Sequence, residues 1–240
     1  MNLCIDRGNT RTKAAIFDGD KLVFEYANHP LRYQQIKAWI KKYGIRNAII
    51  SSVKDYPKSW DKLFSNLNHF FILDHTTKLP FKNEYGSPET LGVDRIALLS
   101  AAGVFFKNED CLVIGAGTCI TLNYITKEGV FTGGSIHPGL QMRFWAMHTY
   151  TGRLPLIKFN GTTPLMGNTT QNAMLSGVIH GAACELDGMI SEYKVKNPKL
   201  KILIAGGDAQ IFETMLKNKI FAVHNLVLVG LNKILNNNVQ

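Results

Sequence analysis

The stretch that decides the fold is the amino-terminal sequence MNLCIDRGNTRTKA, residues 1–14. An apolar run over residues 3–5 ends at Asp6, and a polar turn around Gly8 leads into a second apolar run that begins at Lys13. The pattern predicts a strand, a tight turn and a second strand, because two apolar runs flank a short polar segment. It also places a carboxylate at the end of the first strand.

This turn has the composition of a phosphate-binding loop. Gly8 lets the backbone come close to a ligand, and the amides of the turn can point at phosphate oxygens. Thr10 adds a hydroxyl group and Lys13 adds a positive charge. Asp6 would repel a phosphate unless a metal ion such as Mg²⁺ lay between them. An ordinary hairpin with a polar turn explains the same residues, so this segment alone leaves both interpretations open.

The same design returns further along the chain, at residues 111–121. An apolar strand runs into Gly115-Ala-Gly-Thr118, and a strand with alternating apolar residues leaves that turn. A third apolar strand, residues 202–205, ends in Gly206-Gly-Asp208. This arrangement resembles the actin-like ATPase superfamily, which includes sugar kinases, acetate kinase and the heat-shock chaperone ATPases. The resemblance implies two duplicated ribonuclease-H-like domains with a nucleotide cleft between them.

The order of the predicted elements repeats in the two halves of the chain. Each half begins with three strands and continues with alternating helices and strands, which is the order expected of a ribonuclease-H-like unit. We therefore predict an α/β fold with an N-terminal domain at residues 1–110 and a C-terminal domain at 111–240. Within it we expect a helix at residues 60–67, a polar loop at 74–92 and a second loop at 135–139.

The composition is that of a folded protein with reduced thiols. Of the 240 residues, 45% are hydrophobic, and the four cysteines show no paired metal-ligand spacing, which indicates a cytoplasmic protein. The sequence shows neither a signal-peptide pattern nor an apolar run of about 18 residues, so we expect no membrane partner. A net charge of +9 favours anionic ligands such as ATP or nucleic acid. The lysines are scattered, which indicates solvated faces rather than a nucleic-acid-binding stripe.

A second group of candidate residues, Gly92-Val-Asp-Arg95, opens an apolar helix. An acid at the start of a helix is usually a cap, and an Asp–Arg pair is often a surface ion pair. The functional alternative is a carboxylate general base, Asp94, beside an arginine that binds a carboxylate or a phosphate. Phosphoryl transfer to a hydroxyl group needs such a base, together with neutralisation of charge around the γ-phosphate.

Taken together, the motifs resemble those of one family, the type III pantothenate kinases, and they occur in the family's order along nearly the whole chain. They are Asp6-Arg-Gly-Asn-Thr10 with Lys13, Tyr85 with Pro88 and Leu91-Gly-Val-Asp-Arg95, Gly117-Thr118 with Thr121, Gly133-Gly-Ser-Ile-His-Pro-Gly139, Thr151-Gly-Arg-Leu-Pro155, Gly167-Asn-Thr-Thr170 with Ser176-Gly177, and Gly206-Gly-Asp208.

The resemblance implies a transferase that uses ATP to phosphorylate pantothenate to 4′-phosphopantothenate, the first step of coenzyme A biosynthesis. It implies Mg²⁺ with the ATP, and a homodimer that completes the pantothenate pocket across its interface. The implied ATP-binding residues are Asp6, Arg7, Gly8, Asn9, Thr10, Arg11, Thr12, Lys13 and Thr118. The implied pantothenate-binding residues are Tyr85, Gly92, Val93, Asp94, Arg95 and Thr170. Asp94 would accept the proton, and Asp6 would hold the metal indirectly, through water.

The chain departs from the family at one position. The family usually has an aspartate where this sequence has Gly115, and that aspartate binds a monovalent cation, K⁺ or NH₄⁺. Gly115 has no side chain to offer. The cation requirement expected of the family is therefore in doubt here, and the cation could be absent, held by backbone carbonyls or held by another side chain.

Two other interpretations of the sequence stay open. One is a related actin-fold kinase for another hydroxylated metabolite, and the other is a nucleotide-binding accessory or regulatory protein. Asp94 and Arg95 favour an enzyme, since a binding module needs no base beside the γ-phosphate. We expect His137 to form hydrogen bonds within a loop rather than to act in catalysis. Four aromatic residues are expected in the core or in dimer packing: Phe105, Phe106, Phe144 and Trp145.

Overall fold

The computed structural model describes residues 1–8, 11–27 and 30–239, and within them the strands form two mixed sheets. By its internal contacts the chain divides into two compact units. The first unit consists of Met1–Asn108, Ile125–Gly133 and Asn225–Gln240, and the second of Glu109–Tyr124 and Gly134–His224. The division into domains at residues 1–110 and 111–240 stays a prediction. The two units differ from that division because residues 125–133 and 225–240 belong to the first unit.

The first sheet has five strands in the order β3-β2-β1-β4-β5. Its strands are β1 (Asn2–Arg7), β2 (Thr12–Asp18), β3 (Lys21–Tyr26), β4 (Asn47–Ser52) and β5 (His69–Ile72). The helices of the first unit are α1 (Tyr33–Tyr43), α2 (Asp61–Phe64), α3 (Val93–Phe105) and α7 (Leu226–Val239). Because β1 pairs antiparallel with β2 and parallel with β4, it is the central strand of this sheet.

The second sheet has six strands in the order β11-β10-β7-β8-β9-β6. Its strands are β6 (Lys82–Asn83), β7 (Cys111–Ala116), β8 (Cys119–Ile125), β9 (Val130–Pro138), β10 (Lys201–Ala205) and β11 (Phe221–Ala222). The helices of the second unit are α4 (Leu140–Thr149), α5 (Thr170–Lys196) and α6 (Ala209–Met215). The apolar residues of β7 and β10 are buried, as expected for parallel strands inside a sheet.

A row of asparagines joins α7 to the first sheet. Asn2 Nδ2 donates to the side-chain oxygens of Asn232, at 2.9 Å, and of Asn236, at 2.7 Å. Asn232 Nδ2 donates to the carbonyl of Gly19, at 2.9 Å, and Asn47 Nδ2 donates to Asn2 Oδ1. Asn2 and Asn232 are buried, so these amides need one another as hydrogen-bond partners. The network therefore ties α7 to β1, to β4 and to the turn that follows β2.

Most predicted elements are present, and three differ. The helix expected at residues 60–67 is reduced to α2, preceded by a single 3₁₀ turn at Lys58–Trp60. The loop expected at 74–92 contains β6, which pairs with Val130 and Phe131, a long-range contact that leaves no local signal. Residues 135–138 belong to β9 rather than to a loop, because Gly134 lets that strand lie directly against Leu122 of β8.

Candidate active site

The carboxylate predicted at the end of β1 lies between two polar residues of neighbouring strands. Asp6 is paired with Lys13 of β2 and with Ser51 of β4. The pKa of Asp6 is raised to about 6, chiefly by burial of the carboxyl and then by the nearby charge of Asp94, while Lys13 and Ser51 act in the opposite direction. The carboxylates of Asp6 and Asp94 thus lie near each other in one unit. Their repulsion is unfavourable when both are ionised, unless a cation lies between them.

The turn after β1 is held by backbone and side-chain contacts. Gly8 N donates to the carbonyl of Arg11 at 3.1 Å. Arg7 donates to the carbonyl of Asp55 at 2.6 Å, and its guanidinium lies 5.6 Å from the ring centre of Trp60. Thr12 is buried and Arg11 is exposed. The predicted ATP ligands Asn9 and Thr10 lie outside the described residues.

The predicted general base stands at the start of α3. Asp94 is exposed in the first turn of that helix, and Gly92 is the residue that precedes the helix. A Cβ atom on Gly92 would lie only 2.5 Å from Asp94 Oδ1, so the carboxylate occupies the space that a side chain at position 92 would need. Val93 is half-buried between them. Glycine at position 92 therefore permits this orientation of the Asp94 carboxylate.

The side chain of Arg95 lies against two aromatic rings. It is buried, with 4% of the residue exposed. Its guanidinium lies 5.2 Å from the ring centre of Tyr85 and 5.7 Å from that of Phe131, and these two rings are stacked at 5.5 Å. Cation–π contacts of this kind orient a guanidinium without neutralising its charge. This cluster brings the predicted residues Tyr85 and Arg95 together and adds Phe131, which no motif of the sequence had indicated.

Two glycine-containing segments of the second unit lie close to residues 116–118, the turn that the sequence predicted as a second phosphate loop. Gly139 N donates to the carbonyl of Thr118 at 3.2 Å, and Asp208 N donates to that of Ala116 at 3.1 Å. A side chain at Gly139 or at Gly206, whose φ is +122°, would collide with the backbone of the loop. Thr118 itself is exposed. The glycines of both motifs are therefore needed for these segments to meet.

Two buried polar side chains lie on β8, just after this loop. Asn123 Nδ2 donates to the carbonyl of Val113 at 3.0 Å and to Thr121 Oγ1 at 3.2 Å. Both residues are buried, whereas Gly115 is half-buried.

A cavity of about 580 Å³, large enough for a small organic ligand, opens in the same unit. It is lined by Leu140, Gln141, Phe144, Trp145, Leu156, Lys158, Phe159, Asp208 and Ile211.

Two further residues of the second unit that the sequence analysis considered, Thr170 and His137, lie on different elements. Thr170 is exposed as the first residue of α5, directly after Thr169, whose hydroxyl accepts a hydrogen bond from Asn172 N at 3.1 Å. His137 lies on β9 rather than in a turn, and its ring nitrogens contact Ser135 Oγ at 2.7 Å and Glu185 Oε1 at 2.5 Å.

Glu185 in turn accepts a hydrogen bond from Arg143 Nη2 at 2.7 Å. Burial of Glu185 raises its pKa, but the hydrogen bond and charge of Arg143, followed by those of His137, lower the pKa below its usual value. The carboxylate of Glu185 is thus charged at neutral pH, and it connects α4, α5 and β9 through two basic side chains.

The donor set of the first unit is compatible with Mg²⁺. No cluster of three or more His, Cys, Asp or Glu side chains suited to a metal occurs in the part of the chain that the structure describes. Mg²⁺ in nucleotide sites, however, keeps several waters and takes one or two carboxylates together with phosphate oxygens. Asp6, with its buried carboxyl and the neighbouring charge of Asp94, fits that limited requirement.

The two mixed sheets and the glycine-rich strand ends define an actin-like ATPase fold, the class that contains the sugar kinases. A glucokinase from an Antarctic psychrotroph has this fold, with a TM-score of 0.52, 11% identity and coverage of 99% of both chains. A Campylobacter jejuni protein assigned to the Baf family of transcriptional activators aligns with a TM-score of 0.61 and 25% identity over 98% of both chains.

The comparison of sequences identifies the family. The model of the type III pantothenate kinase family matches residues 2–192. The type III pantothenate kinase of Bacteroides fragilis (strain YCH46) is 43% identical over 242 residues, which cover 99% of this chain and 98% of that protein. The chain therefore belongs to the type III pantothenate kinases, as its motifs predicted. None of the described helices is long and apolar enough to cross a membrane.

The raised pKa of Asp6 has a consequence for stability. Because the folded protein holds a proton on Asp6 up to a pH of about 6, and the unfolded chain only up to about 3.8, the free energy of unfolding falls as the pH rises between these values. Asp6→Asn removes this charge. We expect the variant to be more stable than the wild type by about 1–3 kcal/mol at pH values above about 7, and close to it near about pH 4.

Urea denaturation of the ligand-free protein across this pH range measures the difference. Asp18→Asn, at the exposed end of β2, is the matched control and should change stability little at any of these pH values. Equal stabilities of Asp6→Asn and wild type at alkaline pH would contradict the burial of the Asp6 carboxylate.

Proposed function

We propose that this protein phosphorylates pantothenate with ATP and forms 4′-phosphopantothenate, the first step of coenzyme A biosynthesis, in the cytoplasm. Membership of the type III pantothenate kinases supports the reaction and the substrate. The observation that carries the proposal is the combination at the start of α3: Asp94 is exposed and close to Gly92, while the next residue, Arg95, is buried under two aromatic rings.

Asp94 is the general base of this proposal. The transferred phosphoryl group needs a nucleophile, and a carboxylate that accepts the proton of a substrate hydroxyl group makes that oxygen more reactive. Gly92 and Val93 line the substrate beside the base, and the positive charge of Arg95 binds the carboxylate of pantothenate. The ring of Tyr85, which is stacked on Phe131, packs against the substrate, and Thr170 contributes a further substrate contact.

The two phosphate loops bind the ATP. Residues 6–13 provide backbone amides and the charge of Lys13 for the phosphates, and Thr118 provides a hydroxyl group from the second loop. Asp6 would hold Mg²⁺ through its water ligands. When bound, the metal neutralises charge on the phosphate oxygens. Lys13 is paired with Asp6 across β1 and β2, so the ammonium group and the carboxylate lie on adjacent strands at the entrance to the first loop.

An ATP-dependent assay with pantothenate tests the proposal. Asp94→Asn should lower kcat by about 10²–10⁴-fold, because the amide cannot accept the proton, while the affinity for ATP is retained. Asn keeps the size of the side chain, so α3 should still start at Val93. Calorimetric titration with ATP verifies binding. Wild-type turnover in the Asn variant would remove Asp94 from the mechanism.

The assay also separates this function from the two alternatives. A kinase for a different hydroxylated metabolite would leave pantothenate unphosphorylated but would still hydrolyse or transfer the γ-phosphate with another acceptor. An accessory protein would bind the nucleotide and form no product with either acceptor. The structural similarity to the Campylobacter jejuni protein makes this second control necessary.

We further propose that activation by K⁺ is weak or absent. A bound K⁺ beside the phosphates needs several oxygen ligands, and Gly115 can offer only its backbone carbonyl. The amide of Asn123 and the hydroxyl of Thr121 are buried nearby in sequence, but they bond to each other and carry no negative charge. Neutralisation of the phosphates can come from Lys13 as well as from an ion.

Pantothenate phosphorylation should therefore respond little when KCl replaces choline chloride at constant ionic strength. Gly115→Asp supplies the missing carboxylate and should introduce K⁺ dependence if the other ligands are in place. A steep, saturating rise with K⁺ in the wild type would overturn the proposal, since it would require a cation site built from other oxygens. NH₄Cl in a parallel titration covers the second candidate cation.

We also propose a homodimer. Large apolar side chains are exposed on β9, α4 and the segment that follows it: Ile136, Met142, Trp145, Tyr150, Leu165 and Met166. Tyr150 and Met166 are 86% and 87% exposed, which is unusual for side chains of this size in a monomer. The helix α5, which starts at Thr170, follows directly in the chain. A second copy of the chain that covered these residues would also approach Thr170.

Light scattering should give the mass of a dimer for the wild type, and Tyr150→Glu combined with Met166→Glu should shift the mass toward the monomer. Val195→Glu is the matched control, because Val195 is 78% exposed on the last turn of α5, away from this segment of the chain. A monomeric wild type at the concentrations used for the assay would contradict the proposal.

A further inference from the structure

Ser51 carries a buried hydroxyl group whose nearby acceptor is the carboxyl group of Asp6. The residue is completely buried in β4. Among the described residues its Oγ forms no hydrogen bond of regular geometry, although it is close enough to the Asp6 carboxyl to favour the charged form of that group. A buried polar group without a partner costs free energy, and native proteins keep few of them. The hydroxyl therefore needs an explanation beyond the packing of the sheet.

The register of the sheet shows what this hydroxyl faces. Ser51 is the pairing partner of Asp6 in the parallel ladder of β1 and β4. Paired residues on adjacent strands project from the same face of a sheet, and successive residues alternate between faces. The neighbouring pair, Ile5 and Ile50, belongs to the apolar cluster on the other face. The Ser51 hydroxyl therefore lies on the face of the Asp6 carboxyl.

Asp6 has a polar neighbour on each flank as a result. Lys13 of β2 is its partner on one side and Ser51 is its partner on the other. Both favour the charged form of the Asp6 carboxyl, against burial and the charge of Asp94. The ammonium group of Lys13 can also move toward a phosphate, because its side chain is long and only partly buried. Ser51 has a short side chain on an inner strand and can act only locally.

We propose that Ser51 is a positioning residue for Asp6. Its hydroxyl donates a hydrogen bond to one carboxylate oxygen and leaves the other oxygen directed at the Mg²⁺–nucleotide complex. The inference rests on the proposed role of Asp6 in metal binding. It assigns Ser51 no contact with substrate, and it gives the buried hydroxyl an acceptor. Groups that orient a metal-binding carboxylate in this way typically change metal affinity by about 10–100-fold.

The test is a calorimetric titration of the full-length protein with ADP, once with Mg²⁺ and once with EDTA. Ser51→Ala should weaken the binding of Mg²⁺–ADP by about 10-fold and leave the binding of metal-free ADP unchanged. A structural defect would weaken both, so the split between the two titrations isolates the orienting role. Ser51→Cys keeps the volume but offers a poor donor, and it should behave like Ser51→Ala, which guards against a variant that fails to fold.

Ser52→Ala is the matched control. Ser52 follows Ser51 in the same strand, projects from the opposite face and donates to the carbonyl of Lys54. It should bind Mg²⁺–ADP as the wild type does. If Ser51→Ala and Ser51→Cys also bind Mg²⁺–ADP as tightly as the wild type, the inference is wrong.

Asp6→Ala, titrated in the same way, separates this inference from the proposed function. Loss of Mg²⁺-dependent affinity in Asp6→Ala but not in the Ser51 variants would overturn the role of Ser51 alone. Retention of that affinity in Asp6→Ala would overturn the role of Asp6 in metal binding, and the inference about Ser51 with it.

Discussion

The burial of one carboxyl group, that of Asp6, is the constraint on which the first unit's candidate site depends. A carboxylate loses hydration when the chain folds around it, and the charge of Asp94 adds to the cost. The central position of β1 contributes to this burial, because strands pair with it on both sides and flank the side chain of Asp6. The same position supplies Lys13 and Ser51 as polar neighbours. The site therefore holds a negative charge that destabilises the ligand-free protein and that a bound cation would stabilise. Proteins commonly lose some stability in this way at sites that serve binding.

In the second unit the corresponding constraint is close approach of backbone to backbone. Gly139 and Gly206 come so near to residues 116–118 that a side chain at either position would collide with the loop. Hydrogen bonds from Gly139 and Asp208 to the loop carbonyls then fix the contact. The candidate site of the first unit depends on charge, and the turn at residues 116–118 in the second unit depends on the shape of the backbone. Phosphate groups accept hydrogen bonds from backbone amides, and beside a carboxylate such as that of Asp6 they need a cation between the two negative charges.

The local elements could be predicted from the sequence because their causes are local. Apolar runs that end in Asp6, in Gly115 and in Gly206 are visible as strands followed by turns, and the apolar stretch after Arg95 is visible as a helix. Elements held by distant partners could not be predicted. The two-residue strand β6 exists only through its pairing with β9, and the end of β9 was expected to be a loop because its glycines and proline suggest a turn.

The sequence by itself indicated the order of most elements through its apolar periodicity, and it indicated the family through the resemblance of its motifs to those of the type III pantothenate kinases. It also supplied the polar residues that are proposed to carry the chemistry. Only the tertiary structure decided which side chains meet. Phe131 stacks on Tyr85 and covers Arg95, and Ser51 is opposite Asp6, yet each is an ordinary strand residue in the sequence. The physical reason is that burial and pairing are properties of contacts between distant segments. A hydroxyl or a ring therefore acquires a role only when the fold brings its partner to it.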